Sequence, residues 1–373
     1  MMTYSYGKQS ISPGDIQEVT KVFDSPFLTQ GPKVKEFEKA ICDYTGAKYT
    51  VAVANGTAAL HIAALAAGIK QGDEVITSPN TFLASANCVL YAGGTVRFAD
   101  IDNKTACIDP LEIEKHITKA TKAIIPVHFA GICCDMEKIA QIAKKHNLLI
   151  IEDAAHAIGS EYKGSKVGNC AHSLATIFSF HPVKTITSGE GGAVTTNDKD
   201  LYEKLLALRS HGIYRKNRWE YEMRDLGFNY RLTDIQAALG ISQLKRIGIF
   251  AEKRRRLFAM YAEAFKGDER FSLLEEPVYS KACYHLCPLL IDFDKIKISK
   301  EELFDKFREK GLFLQVHYIP VHTQPYYQKL GFKWGDFPKA ENYYRRELSL
   351  PLYPDLTEED IKVIVKIIKE LAI

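Results

Sequence analysis

Short apolar, β-branched runs recur seven times between residues 50 and 196, and most are separated by a stretch with helical periodicity. They fall at 50–54, 74–77, 95–98, 123–128, 148–152, 175–179 and 192–196, with helix-like segments such as 57–67 and 136–145 between them. This alternation predicts a mainly parallel, seven-stranded sheet covered on both faces, because parallel neighbours need a crossover and a strand buried on both sides has no polar face. The last three runs lie closer together, so at least one of them is expected to run antiparallel.

At 373 residues the chain is longer than the roughly 250–300 residues at which a single core stops growing, which predicts two domains. We place the first at 1–245, N-terminal segment included, and a smaller α+β domain at 246–373. A long helical pattern over 232–264 carries Lys253-Arg254-Arg255-Arg256, a basic run that reads as a solvated helix face. Beyond it come an apolar run at 286–293, a helix-like 300–310, a strand-like 312–318 and a final amphipathic helix. Thr357 followed by Glu358, Glu359 and Asp360 marks the start of that helix, with an N-cap and acids in the first turn.

Composition narrows the function classes. A net charge of +3 over 49 basic and 46 acidic residues leaves no broad footprint for nucleic acid. No apolar run approaches the roughly 20 residues of a membrane span, and the polar start has no signal-peptide core, so a cytoplasmic protein without a membrane partner is expected. Among eight cysteines, Cys133 adjoins Cys134 and Cys283 lies four residues before Cys287. That spacing resembles neither metal knuckles nor a secreted disulfide framework, and no metal site is expected.

The chemistry concentrates in two places. Lys184 follows the apolar run 175–179 and precedes Gly189-Glu190-Gly191-Gly192, where an amine can be held rigidly, partly desolvated, and still be reached by a carbonyl compound to form a Schiff base. Asp153 ends the run 148–152, at the strand end where open α/β sheets bind ligands. An acid and a lysine facing one pocket suggest pyridoxal phosphate, since a carboxylate opposite the pyridine nitrogen keeps it protonated. Taken alone, Asp153 reads equally as a strand-end carboxylate capping a loop.

Asn55-Gly56-Thr57 lies between a strand and a helix, where glycine permits close approach and the helix N-terminus offers free N–H groups to a phosphate. The Thr57 hydroxyl and Ser179 could add to that cradle. Phe82 is a candidate for stacking on the cofactor ring, although an isolated phenylalanine is also ordinary core material.

Five segments together resemble the DegT-type nucleotide-sugar aminotransferases: residues 81–87, 152–159, 179–187, 208–212 and 227–238. The likeness covers nearly the whole chain in the family's order. It implies the aspartate aminotransferase-like fold (pyridoxal phosphate fold type I) and a homodimer whose active sites lie at the subunit interface. By the same likeness Lys184 would carry the cofactor and move protons, and Asp153 would pair with the ring nitrogen. Gly56, Thr57 and Ser179 would hold the phosphate, Phe82 would stack on the ring, and His156 would lie near the phenolic oxygen, where other members often have glutamine. Asn229 would reach the phosphate of the neighbouring subunit's cofactor. Sugar dehydratases in the family replace the lysine with histidine; this chain keeps it, which favours transamination.

Residues 179–187 and 314–320 further resemble the enzymes that act on carbon 4 of UDP-linked 4-keto-6-deoxy-N-acetylhexosamines, especially those of pseudaminic acid biosynthesis. That likeness implies glutamate as amino donor and a nucleotide sugar as acceptor, with His317, Tyr318 and Tyr6 lining the sugar or nucleotide site. Two alternatives stay open: a dTDP- or GDP-linked keto sugar as acceptor, and a noncatalytic regulator that binds the cofactor without turnover.

Overall fold

The computed structural model describes residues 3–372. Its main sheet has seven strands in the spatial order Tyr49–Val53, Gly192–Thr196, Ala175–Ser179, Leu149–Asp153, Thr121–Ile125, Glu74–Thr77 and Thr95–Phe98. Six of them run parallel in register, and Gly192–Thr196 lies antiparallel to both of its neighbours. The reason is local: the link from Ser179 to Gly192 is a turn-rich loop with no crossover helix, so the chain can only double back. Both Ala175–Ser179 and Gly192–Thr196 are buried along their full length, which is why they carry no charged residue and no polar face.

Helices cover the sheet. Gly56–Ala66 is almost wholly buried, consistent with its alanine-rich sequence, and packs against Gly192–Thr196 and Ala175–Ser179 above all, and against Tyr49–Val53 and Leu149–Asp153. Met136–His146 buries a single stripe, starts at a capping Asp135 and ends on Asn147 in the left-handed conformation with φ 55°.

The C-terminal part is built on an antiparallel sheet in the order Phe271–Leu273, Cys287–Ile291 and Glu347–Leu350. Its helices are Ile247–Phe265, Lys300–Glu309, Pro338–Arg346 and Glu358–Leu371, the last opened by a capping box between Thr357 and Asp360. Two elements differ from their sequence reading. The helical stretch over 232–264 is two helices, Asp234–Leu244 and Ile247–Phe265, separated at Lys245 and Arg246. Of the strand-like 312–318, Leu312–Phe313 pairs in parallel with Tyr4–Ser5, and beyond it Gln315 makes a single antiparallel bridge to Ser349. The remainder leaves the ladder to line a cavity. The N-terminal segment thereby joins the C-terminal part: Tyr6 N–H donates to Phe313 O at 3.0 Å and Tyr6 O accepts from Leu352 N–H at 3.0 Å.

Candidate active site

A cavity of about 740 Å³ opens between the strand ends Asp153 and Ser179 and the segment 315–319. A larger groove of about 1180 Å³ lies along the helix Pro32–Thr45, lined by Lys35, Glu38 and Arg209 among others. Its Lys39 and Asp43 are an exposed ion pair at 2.7 Å, whereas the smaller cavity holds a desolvated lysine with a buried carboxylate, so the chemistry is sought there.

Lys184 enters it from the loop after Ala175–Ser179. Phe180 and Ile186, both fully buried, anchor that loop on either side of the lysine. Lys184 N–H also donates to His181 O at 2.9 Å, so the backbone that carries the amine is fixed. The residue is half-buried because one flank lines the open cavity. Burial of the amine pushes its pKa down to about 8, against the opposing pull of Asp153.

Asp153 is buried with its carboxylate satisfied on both oxygens. Ser85 Oγ donates to Oδ2 at 2.6 Å and Ala155 N–H donates to Oδ1 at 3.0 Å, while Ser85 in turn meets Thr81 Oγ1 at 2.7 Å. Desolvation raises its pKa more than these donors and the charge of Lys184 lower it. A cation set opposite this carboxylate would restore its ionisation, which is what a protonated pyridine nitrogen offers.

At the other end of the cavity, the helix Gly56–Ala66 points its N-terminus at Ser179. Asn55 caps the helix by accepting from Ala58 N–H at 2.8 Å, so the earlier N–H groups of Gly56 and Thr57 have no intrahelical partner. A Cβ on Gly56 would stand 2.8 Å from the Ser179 Cβ, and one on Gly192 would stand 2.4 Å from Asn55 O. Both glycines are therefore required for the strand ends and the helix start to close into a cradle. The free N–H groups, the positive helix end and the two hydroxyls fit a phosphate. With Lys184 and Asp153 at the far end, the residues present fit pyridoxal phosphate.

The third wall comes from the C-terminal part and from Ala154-Ala155-His156. His156 Nδ1 accepts from Ala130 N–H at 3.3 Å, which leaves its proton on Nε2, 3.1 Å from the Tyr318 hydroxyl. Its pKa lies well below the usual histidine value, first through burial and then through the charge of Lys184. His317 is buried, is pushed down to about 3 for the same two reasons, and packs 5.0 Å from the ring of Tyr6. Phe82 is 56% exposed at the mouth, its ring 6.1 Å from that of Tyr318.

Of the residues singled out from sequence, Lys184, Asp153, Gly56, Thr57, Ser179, Phe82, His156, Tyr6, His317 and Tyr318 all line this cavity. Asn229 does not. It is exposed beside Ser210, outside the cavity of its own chain. His285 escaped the sequence reading, although its Nε2 lies 3.5 Å from Lys184 Nζ and its buried Nδ1 has no partner among the described residues. Burial and the nearby charges of Lys184, His156 and Arg254 keep that imidazole neutral. The adjacent Tyr284-His285 could have drawn notice as polar aromatics opening an apolar strand, but nothing in the spacing ties them to Lys184.

The profile of the DegT/DnrJ/EryC1/StrS aminotransferase family matches residues 9–369. Among curated relatives, the chain is 43% identical over 369 residues to the UDP-4-amino-4,6-dideoxy-N-acetyl-beta-L-altrosamine transaminase of Campylobacter jejuni, covering 98% of this chain and 96% of that one. Among solved structures, Helicobacter pylori PseC, an aminotransferase involved in the biosynthesis of pseudoaminic acid, superposes with a TM-score of 0.94 at 36% identity, covering 100% and 99% of the two chains. The PLP form of a Streptococcus pneumoniae protein superposes with a TM-score of 0.93 at 30% identity, covering 100% and 99%.

Proposed function

The chain belongs to the DegT/DnrJ/EryC1/StrS aminotransferase family, and from that premise we propose that it moves an amino group from L-glutamate to carbon 4 of a UDP-linked 4-keto-6-deoxy-N-acetylhexosamine. The product is a UDP-4-amino sugar for a surface glycan of the pseudaminic acid type. The observation that carries this reading is Lys184 and Asp153 on one cavity, each with its pKa displaced toward the other form by burial. The names of the Campylobacter and Helicobacter relatives support the choice of sugar.

Bound pyridoxal phosphate supplies a conjugated, protonated ring that takes up electron density from the bond breaking at the substrate carbon. Asp153 holds the proton on the ring nitrogen. The N–H groups of Gly56 and Thr57 and the hydroxyls of Thr57 and Ser179 bind the phosphate, and Phe82 covers one face of the ring. His156 Nε2 donates near the phenolic oxygen. Lys184 Nζ takes the α proton of glutamate and, in the second half of the exchange, delivers a proton to carbon 4 of the sugar. An amine with its pKa at about 8 is neutral often enough near neutral pH to act as that base.

Tyr6, His317 and Tyr318 face the sugar or its nucleotide. Asn229 binds the cofactor phosphate of a second subunit in a homodimer with shared sites. The strongly exposed Trp219, Tyr221, Met223 and Leu226, close to Asn229 in the chain, support a covered face there.

The test is turnover of UDP-, dTDP- and GDP-linked 4-keto sugars with glutamate, with the product stereochemistry read by NMR. A UDP-4-amino sugar formed together with 2-oxoglutarate is the expected result. Turnover confined to a dTDP or GDP sugar would replace the acceptor, and a cofactor absorption spectrum unmoved by glutamate would replace the enzyme by a noncatalytic binder.

A further inference from the structure

Behind His317 lies a buried polar chain with no part in the reaction as described so far. His317 Nδ1 is 2.8 Å from Ser349 Oγ, and Ser349 Oγ is 2.5 Å from Glu347 Oε1. The second carboxylate oxygen of Glu347 accepts from the backbone N–H of His317 at 2.9 Å, which clamps both ends of the chain to each other. Glu347 and Ser349 are fully buried on the strand Glu347–Leu350, while His317 lines the cavity with no hydrogen bond to its Nε2 among the described residues.

We propose that His317, Ser349 and Glu347 form a proton relay that determines whether the His317 Nε2 atom offers the cavity a lone pair or a proton. A hydroxyl between two groups can point either way, and its direction sets the rest. When Glu347 is ionised, Ser349 donates to it, His317 Nδ1–H donates to Ser349, and Nε2 is a bare acceptor. When Glu347 is protonated, it donates to Ser349, Ser349 donates to Nδ1, and Nε2 carries the proton. A proton taken up from a bound ligand at Nε2 is thus matched by transfer of the Nδ1 proton to Ser349 and of the Ser349 hydroxyl proton to Glu347. The reverse sequence returns it. The imidazole stays neutral throughout, as its burial beside Lys184 demands.

The groups around Glu347 leave it free to change state. Lys300, at the start of Lys300–Glu309, is the charged group acting on it among the described residues, and it is bonded to Tyr344 O at 2.5 Å and set over the Tyr344 ring. Tyr343, Tyr318 and Cys287, which also feel its charge, are kept neutral by burial. Burial raises Glu347 well above the usual carboxylate range and lowers Lys300. In the proposed reaction the carbonyl oxygen of the sugar leaves as water and must gain protons, and the relay can supply one without placing a charge on the cavity wall.

This use of the relay rests on the aminotransferase reading, whereas the relay itself can be tested apart from it. In holoenzyme labelled with ¹⁵N-histidine, with the His317 signals identified by their loss in His317→Gln, the ring shifts report which nitrogen is protonated. As the pH rises from about 6 to about 10, spanning a buried carboxyl raised above its usual range, the His317 proton should pass from Nε2 to Nδ1. Glu347→Gln, whose amide oxygen is claimed by the His317 backbone N–H so that its NH2 faces Ser349 and donates, should hold the Nε2–H form throughout, and Ser349→Ala should uncouple the ring from the change. A single His317 tautomer across the range in the wild type overturns the relay whether or not either variant folds. A tautomer change in a protein that turns over no UDP sugar leaves the relay standing and removes only the proposed acceptor.

Discussion

The inner wall of the cavity and its mouth are built on opposite terms. Inside, Asp153 is satisfied on both oxygens, His156 has both ring nitrogens engaged and His317 one, and Lys184 sits on an anchored loop. At the mouth, Phe82 is 56% exposed, and away from the cavity, near Asn229 in the chain, Trp219, Met223 and Leu226 are exposed at 80%, 62% and 77%. Groups that move protons are oriented before any ligand arrives, so little reorganisation is left for the reaction. The exposed groups are left uncovered in the single chain, and their order depends on what packs against them.

The sharpest way to break this contrast is to remove the inner amine. Lys184→Ala should lower transamination by about 10⁴-fold or more, the upper range for a positioned acid–base group, while the fold persists. Single-turnover conversion of the cofactor by glutamate checks it, and borohydride reduction with peptide mapping should place the label on Lys184. Retained turnover in Lys184→Ala would remove this residue from the centre of the site.

Asp153→Asn keeps the shape of the inner wall and deletes its charge. The glutamate half-reaction should slow by about 10²–10³-fold at normal cofactor content, an electrostatic loss rather than a packing one. Near-normal turnover would make Asp153 a strand cap.

A smaller effect tests the amine's environment. In cofactor-free protein, acylation of Lys184 should rise about tenfold between pH 7 and pH 9 and then level off, because an amine of pKa about 8 is almost wholly neutral by then. A rate still climbing steeply above pH 9 would mean that the amine is solvated like a surface lysine.

The exposed face around Asn229 is probed by mixing. Lys184→Ala and Asn229→Asp, each inactive alone, should on subunit exchange recover about a quarter of wild-type activity, the share of sites in random symmetric dimers free of both lesions. No recovery from exchanging, individually inactive variants would confine Asn229 to its own chain.

The parts legible in the sequence are those written in consecutive residues. All seven strands of the large sheet were read to within a few residues, because each is a short buried run flanked by turn chemistry. Lys184 and Asp153 were found because each sits at the end of such a run. The third wall was not legible in this way. His285 meets Lys184 across 101 positions of sequence, and Glu347 and Ser349 meet His317 across 30 and 32. Apolar periodicity says that Glu347–Leu350 is buried poorly, since an acid and a serine interrupt it, and it says nothing about which residue they face. The segment 312–318 looks like a strand because its residues suit one, yet past Phe313 its side chains line the cavity and the ladder stops. The break at Lys245 and Arg246 is equally hidden: both residues are good helix formers, and Arg246 instead reaches the buried Asp15 at 2.9 Å.

The antiparallel strand Gly192–Thr196 lies between Tyr49–Val53 and Ala175–Ser179, and its first glycine presses on Asn55 O. During synthesis, then, strand pairing cannot bring Asn55-Gly56-Thr57 into place beside Ser179 until Thr196 has left the ribosome, since strands 49–53 and 175–179 are not neighbours without it. A nascent chain ending before that point has a lysine, an acid and a helix start but no assembled cradle to hold a phosphate. Cofactor capture should therefore register completion of this sheet, and truncated chains would remain unloaded however much cofactor the cell contains.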